Sequence, residues 1–513
     1  MRVTGGRTWL AITLCLFAFL LGEFLYPPFP ETDEAFFKAA GRNLAFHGRF
    51  AAPELENFLH ADPAIERIYS AYPPVYSWLF GQLVVWSGFG WRTCNGYDAV
   101  ISALLALCIF GLSLRVAETL GANGLEVLGV SLATALITVV FGQRARPDEL
   151  AMLFAYANFW LLLSRPLSGT TAFVAGGLAG LTLGTSTGVF LLFLLPTVAF
   201  WWRTHRVTFV RPACFSLLGG LIVTTIWITP LWSMDTHFYR QFLQHASFHL
   251  KQSLIEGSAE SLSLFWAVAR PRLFLLAATF PLFLLATAVA LWRKRAWIDV
   301  IAFYLAPLAG FALLLSLRSE FTYCWFLQPW FALVAFLFLR DIARFHRAAG
   351  MIAALVLIGF LALATLWPLK SWLVYVTLPP TQRLGFAETQ VRALVPPGSV
   401  VLTNGAWWSL AQDREVLSPD FSDIVDLRRI EYFVSDGNGS RVPGKWHEPQ
   451  NPRYASEVRD NFEIVSNGLA REPLRIFGYR VTNSAYGFGA VVMRRKHPNP
   501  QTDAGELKPN LGR

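Results

Sequence analysis

Charge is what the sequence has least of. Only 15% of its 513 residues are Asp, Glu, Lys or Arg and 54% are apolar, whereas an average soluble domain is about 25% charged. Mean hydropathy is +0.43, and one large water-soluble globule is excluded. Cysteine is also scarce. The five present (Cys15, Cys94, Cys108, Cys214 and Cys324) lie in or beside apolar runs, with no CxxC pair and none after Cys324. The polar C-terminal part therefore has no disulfide framework, and no metal site of the CxxC type is available. No repeat is present, and 43 Phe with 19 Trp exclude collagen, coiled coil and wholesale disorder. The formal charge is +9. In a membrane protein such a surplus mostly sets orientation, so no nucleic-acid partner is expected.

What is present is a series of apolar runs. A bilayer span takes roughly 20 apolar residues. Candidates lie near 8–26, 93–115, 124–142, 147–164, 171–187, 188–202, 213–233, 272–292, 297–317, 322–340 and 349–368, which is about eleven transmembrane helices. The run near 8–26 follows Arg2 and Arg7 and lacks a small-residue cleavage site, so it reads as a retained anchor. With a cytoplasmic N-terminus, the inner loops hold Arg115, Arg165, Arg203, Arg206, Arg211, Arg293, Lys294, Arg295, Arg340, Arg344 and Arg347, as the positive-inside rule requires. Residues 27–92, 143–147, 234–271, 318–321 and those after 369 then lie outside. Fifteen acids follow residue 370, while only Asp299, Glu320 and Asp341 fall between 261 and 370. The expected class is an all-α polytopic membrane protein, residues 1–369, with a C-terminal extracytoplasmic α/β domain at 370–496. In that domain the pattern predicts helices at 383–395 and 406–412 and strands at Ser399–Leu402, Ile430–Ser435, Leu474–Val481 and Ala490–Arg494. Residues 497–513 have the composition of a disordered tail.

Ionisable residues gather where spans leave the membrane. The first outer loop, 27–92, opens with Asp33 and Glu34. Both suit a helix N-terminus, as a cap and as a partner of the helix dipole. The segment Ala35–Phe46 puts Phe36, Phe37, Ala40, Leu44 and Ala45 on one side, with Lys38, Arg42 and Asn43 elsewhere. That pattern predicts an amphipathic helix lying flat on the lipid. Further along, Tyr72-Pro73-Pro74-Val75-Tyr76-Ser77-Trp78 combines a proline helix start with interfacial aromatics. Arg144-Ala145-Arg146-Pro147-Asp148-Glu149 puts two acids at the head of an apolar span and two arginines outside, against the charge rule. Structurally this is a good helix start; functionally, outward arginines suit phosphate or carboxylate. His237 and Arg240 belong to a basic outer loop suited to an anionic headgroup. His245 and His249 are spaced i, i+4, but without HExxH context a metal is not predicted. Arg318 and Tyr323 mark the outer edge of the 322–340 span.

The order of these motifs resembles the GT-C superfamily of glycosyltransferases. The branch in question holds protein O-mannosyltransferases, lipid A aminoarabinose transferases and lipopolysaccharide-core transferases of Rgt type. The likeness runs over roughly residues 5–340 by topology. It implies that Asp33 is the catalytic base, with Glu34 beside it, and that Asp148 is a second acid of the site. Relatives carry Lys-Pro-Pro or His-Pro-Pro where this chain has Tyr72, and a tyrosine donates one hydrogen bond but no charge. Arg144, Arg146, Arg240 or Arg318 would then meet the phosphate, with Tyr72, Tyr76, His237 and Tyr323 in the substrate site. The implied donor is a sugar on a polyprenyl phosphate, and the acceptor hydroxyl is on a lipid, glycan or protein. A phosphate leaves as a stable anion, so one carboxylate and fixed cations suffice. No cofactor is required, and a divalent metal is compatible but not demanded. The implied location is the bacterial plasma membrane.

Overall fold

In the computed structural model, the described residues are 32–52, 68–122, 124–141, 146–164, 168–204, 210–244, 270–293, 296–317, 325–403, 408–417, 427–435, 458–466, 473–476, 479–485 and 490–496; side chains are not described for 32–35, for much of 357–375, for 473–476 and 479–485, and for some other positions near helix ends. The 8–26 run, His245, His249 and the 497–513 tail lie outside them.

The helices are α1 (Thr32–His47), α2 (Val75–Ser87), α3 (Trp91–Thr119), α4 (Gly124–Phe141), α5 (Pro147–Ser164), α6 (Gly169–Leu183), α7 (Thr187–Thr204), α8 (Val210–Met234), α9 (Arg270–Trp292), α10 (Trp297–Val300), α11 (Ala306–Leu317), α12 (Gln328–Phe345), α13 (Arg347–Thr377) and α14 (Leu384–Leu394). Helices thus occupy the predicted stretches from 93–115 onward. Two of them, α3 and α8, are long and apolar enough by themselves to cross a bilayer. The single span read at 297–317 is broken by a π-helical turn at Ile301–Leu305. Such a turn loosens the backbone ladder. Here the Phe303 carbonyl accepts from the Trp330 indole N–H at 3.0 Å, while the two rings stack. Around them, Phe159, Phe200, Phe283 and Phe331 form the aromatic centre of the main apolar core.

Small residues set the closest approaches. A β-carbon at Gly41 of α1 would overlap the Ser77 carbonyl oxygen of α2, and one at Gly81 would meet the Gly41 carbonyl at 2.6 Å. α6 and α8 meet the same way at Gly176 and Gly219, where a β-carbon would run into the Ser216 and Phe173 carbonyl oxygens respectively. Contacts of this kind let helices associate where apolar burial alone gives no preference over lipid.

The expectation that α1 lies flat on lipid is corrected. Phe36, Phe37, Ala39 and Ala40 are buried, but so are Lys38 and Asn43, on the faces expected to be polar. The helix is inserted among protein elements because glycine lets α2 touch its backbone and because Lys38 finds a buried carboxylate. Among its described side chains, only those from Phe46 onward are exposed.

The C-terminal strands are β1 (Val400–Thr403), β2 (Glu415–Leu417), β3 (Tyr432–Ser435), β4 (Phe462–Ser466), β5 (Pro473–Ile476), β6 (Tyr479–Ala485) and β7 (Val491–Arg495). Five of them form a mixed sheet in the order β2-β1-β3-β7-β4, with β1 parallel to both neighbours and β7 antiparallel to both of its own. The strand expected at Leu474–Val481 is instead two strands of a separate hairpin, β5 and β6. β2 and β4 went unread, since Glu415 and Glu463 interrupt their apolar pattern. The predicted 406–412 helix is a 3₁₀ turn, Trp408–Gln412. Helix α13 runs through residue 370 without a break. α14 buries Leu384, Ala387 and Val391, one helical stripe. These residues, with Val401 and Val434 of the sheet, share one apolar cluster with Phe36, Phe37, Tyr76 and Phe80. The sheet and α14 thus pack at the same end of the bundle as α1 and α2.

Replacing Gly41 with Leu should separate α1 from α2 at a cost of about 1–3 kcal/mol. The readout is the unfolding midpoint in detergent. An unchanged midpoint would mean that the backbone contact is not needed.

Candidate active site

Three buried carboxylates occupy the beginnings of α3 and α5. Asp98 lies in the second turn of α3; Asp148 and Glu149 lie in the first turn of α5, where the helix N-terminus favours negative charge. They are 4%, 7% and 4% exposed. Groups buried this deeply require partners, and each has one from a different element.

Asp98 takes the Lys38 ammonium of α1 at 2.6 Å, in a pair 0% and 4% exposed. Its other oxygen accepts from the Tyr76 hydroxyl of α2 at 2.7 Å. Tyr97 in turn donates to the Tyr76 carbonyl at 2.8 Å. Glu149 accepts from Ser102 of α3 at 2.6 Å, which ties α5 to α3. Asp148 accepts from Ser186 at 2.7 Å and lies 3.6 Å from the Arg146 guanidinium. Ser186 belongs to the break between α6 and α7, read in the sequence as Gly184–Gly188 interrupting one apolar run. That break also fixes α2, because the Val75 N–H donates to the Gly184 carbonyl at 2.9 Å.

Arg146 connects the acidic start of α5 to α1. Its guanidinium sits over the Phe37 ring at 5.9 Å, a cation–π distance. Phe37 also packs edge-on against Tyr72 at 4.8 Å, and Phe36 does so at 5.1 Å. Tyr72 is therefore seated by its ring against Phe36 and Phe37, the latter also carrying Arg146. Tyr76, expected to meet substrate, spends its hydroxyl on Asp98 and is 1% exposed; it holds the acid in place. Asp33 and Glu34 fall in the first turn of α1, one helical turn before Phe37 and Lys38 respectively. Their side chains, with Arg144, Arg318 and Tyr323, lie outside the described residues.

His237 and Arg240 occupy an exposed turn after α8. The His237 N–H donates to Asp235 at 2.7 Å. The turn is tied to the segment that precedes Tyr72 by Gln241, 1% exposed, which accepts from the Ser70 N–H and donates to the Ile68 carbonyl, both at 2.9 Å. Ser70 adds a hydroxyl bond to the Phe238 carbonyl at 2.5 Å. The basic turn is thus anchored just ahead of Tyr72. Among the described residues, no group of three or more His, Cys, Asp or Glu side chains is arranged to hold a metal ion.

Lys38, Asp98, Ser102, Ser186 and Gln241 were missed as members of this constellation. Only Asp98 carried a usable signal: an acid inside a predicted span requires a partner. Ser186 and Gln241 look like any other polar residue until the chain folds.

The arrangement can be set beside known proteins. No protein-family profile matches the chain, and no curated protein sequence matches it. Its structure is similar to that of the aminoarabinose transferase ArnT from Cupriavidus metallidurans bound to undecaprenyl phosphate, with a TM-score of 0.60 and 13% identity over 96% of this chain and 98% of that one. This is the GT-C fold. The apo state of the same ArnT matches at a TM-score of 0.56 and 13% identity, over 98% and 100% of the two chains. An Archaeoglobus fulgidus oligosaccharyltransferase tethered to an acceptor peptide matches at a TM-score of 0.50 and 10% identity, over 85% of this chain and 69% of that one. At such identities the likeness establishes the GT-C fold, and the chemistry has to be argued from this chain's own residues.

The pair Lys38–Asp98 yields a test. Lys38→Met leaves a buried carboxylate without its cation and should cost about 3–5 kcal/mol. Combining it with Asp98→Leu and Tyr76→Phe should restore most of that loss, because no uncompensated charge remains. Unfolding midpoints in detergent report both. A single variant as stable as the parent would show that the pair does not hold α1.

Proposed function

We propose that the chain is a membrane glycosyltransferase. In this reading it moves a sugar from a polyprenyl phosphate to an acceptor hydroxyl outside the cytoplasm. The observation that carries the proposal is the chain of contacts from Asp148 through Arg146 to Phe37. It brings an arginine held by a buried acid to the helix whose first turn contains Asp33. A carboxylate and a guanidinium near one interface are what transfer from a phosphate leaving group needs. The likeness to a protein bound to undecaprenyl phosphate supports the choice of donor.

The acceptor oxygen attacks the anomeric carbon on the face opposite the phosphate, and its proton passes to the Asp33 carboxylate. The carbon–oxygen bond to phosphate breaks and the phosphate departs as an anion, so configuration inverts. Arg146, steadied by Asp148, offsets charge on the departing phosphate. Arg144, Arg318 and the turn bearing His237 and Arg240 supply further positive charge. Tyr72, packed on the Phe37 ring that also carries Arg146, contributes one donor in place of the basic residue of relatives. Ser186 is a positioning residue: it fixes the Asp148 carboxylate.

Asp33→Asn should lower transfer by about 10²–10⁴-fold, with the unfolding midpoint and membrane insertion unchanged. The measurement uses a radiolabelled sugar on undecaprenyl phosphate and purified protein in lipid. Parental turnover by the variant would remove Asp33 from the role of base. Movement of the donor across the membrane without transfer would support a transporter instead, and neither activity would support a scaffold.

A further inference from the structure

α3 runs from the carboxylate end of the bundle to the opposite end; from Asp98 to Leu120 it climbs about 33 Å. There the helix ends meet differently. Arg344 pairs with Glu126 at 2.7 Å, and Arg203 with Asp299 at 2.6 Å. Between α9, the π-helical turn, α12 and the end of α3 lies a small open cleft of about 50 Å³, lined among others by Leu120, Ala290, Arg293, Tyr304, Arg340 and Phe345.

Arg340 is the unusual member. Its side chain is 8% exposed. Nε and Nη2 donate to Asp341 at 3.0 and 2.5 Å, and Nη2 also donates to the Leu120 carbonyl at 3.2 Å. Nη1 is buried, with no acceptor among the described residues. A buried guanidinium N–H without an acceptor is costly, and this one belongs to a residue that lines the cleft. At the mouth, the exposed Arg293 sits over the Phe345 ring at 4.9 Å. Arg293 and Arg340 against Asp341 leave the lining one positive charge in excess. The cleft therefore presents an anion with the largely buried cation of Arg340 in its wall and a second, exposed cation, Arg293, at its mouth.

The surroundings select the kind of anion. Beside Arg293, Trp292 is 81% exposed, and at the rim Phe345 is 72% exposed. Leu291 and Leu285 of the same helix α9 are also open. Exposed aromatic and aliphatic side chains beside arginines match the boundary between acyl chains and headgroups. A free anion gains nothing from them, whereas a phospholipid places its phosphate on the arginines and its chains along the apolar flank.

We propose that this cleft binds the phosphate headgroup of an anionic phospholipid. The site is separate from the proposed transfer site by the length of α3, and its test needs no sugar donor. Delipidated protein in detergent is mixed with phosphatidylglycerol or phosphatidylcholine, and retained lipid is read by native mass spectrometry. The parent should retain phosphatidylglycerol over phosphatidylcholine by about tenfold or more, as expected for charge-assisted contacts. Arg340→Gln should bring that ratio close to one, and Arg293→Gln should reduce it several-fold. If Arg340→Gln fails to fold, the Arg293→Gln result decides. Equal retention of the two lipids by the parent, or an undiminished ratio in the variants, overturns the proposal. Thermal stabilisation by inorganic phosphate alone, as large as that by phosphatidylglycerol and equally dependent on Arg340, overturns the lipid assignment.

Discussion

The ion pair between Lys38 and Asp98 is the constraint from which the acidic end of the molecule is built. Both groups are removed from water, and neither is tolerable there without the other. Their pairing requires α1 to enter the bundle instead of resting on its surface. Once α1 is inside, Gly41 and Gly81 let α2 close on it, and Tyr76 reaches the second oxygen of Asp98. The register of α1 follows: Phe37 lies under Arg146, which itself pairs with Asp148 at the start of α5.

Around that pair, polar contacts between elements do what apolar packing cannot do in a bilayer. Lipid chains solvate a leucine as well as another helix does, so burial alone does not choose neighbours. Ser102 to Glu149, Ser186 to Asp148 and Gln241 to the backbone of Ile68 and Ser70 each select one partner and one register. The C-terminal sheet joins the same end through apolar contact. Its α14 and central strands share a cluster with α1 and α2, so the material expected outside the membrane packs at the end of the bundle where these two helices lie.

The two ends of the bundle are chemically distinct, and α3 connects them. One end gathers carboxylates, two of them, Asp148 and Glu149, in the first turn of α5 where the helix dipole favours them. The other gathers arginines near helix C-termini, where the dipole favours cations: Arg203 ends α7 and Arg340 and Arg344 lie near the end of α12. This segregation follows the alternation of loop charges along the chain.

Much of this was legible in the residues. Apolar runs predicted helices from 93–115 onward, because a run of that length has little choice but to satisfy its backbone internally. The motif order at Asp33, Tyr72 and Asp148 pointed to the fold. Two short strands and the π-helical turn were not legible, since charged residues break the pattern of the strands and nothing local distinguishes the turn. The burial of Lys38 was not legible either. Periodicity assigned it to a polar face, and only the approach of α3 makes that face an interior. By itself the sequence determined which segments are helical and which ends carry charge, because these depend on local composition. The tertiary structure alone decided which side chain from another element each buried carboxylate meets, because Lys38, Ser102 and Ser186 lie 38 to 60 residues from their acids and come together with them only when the helices pack.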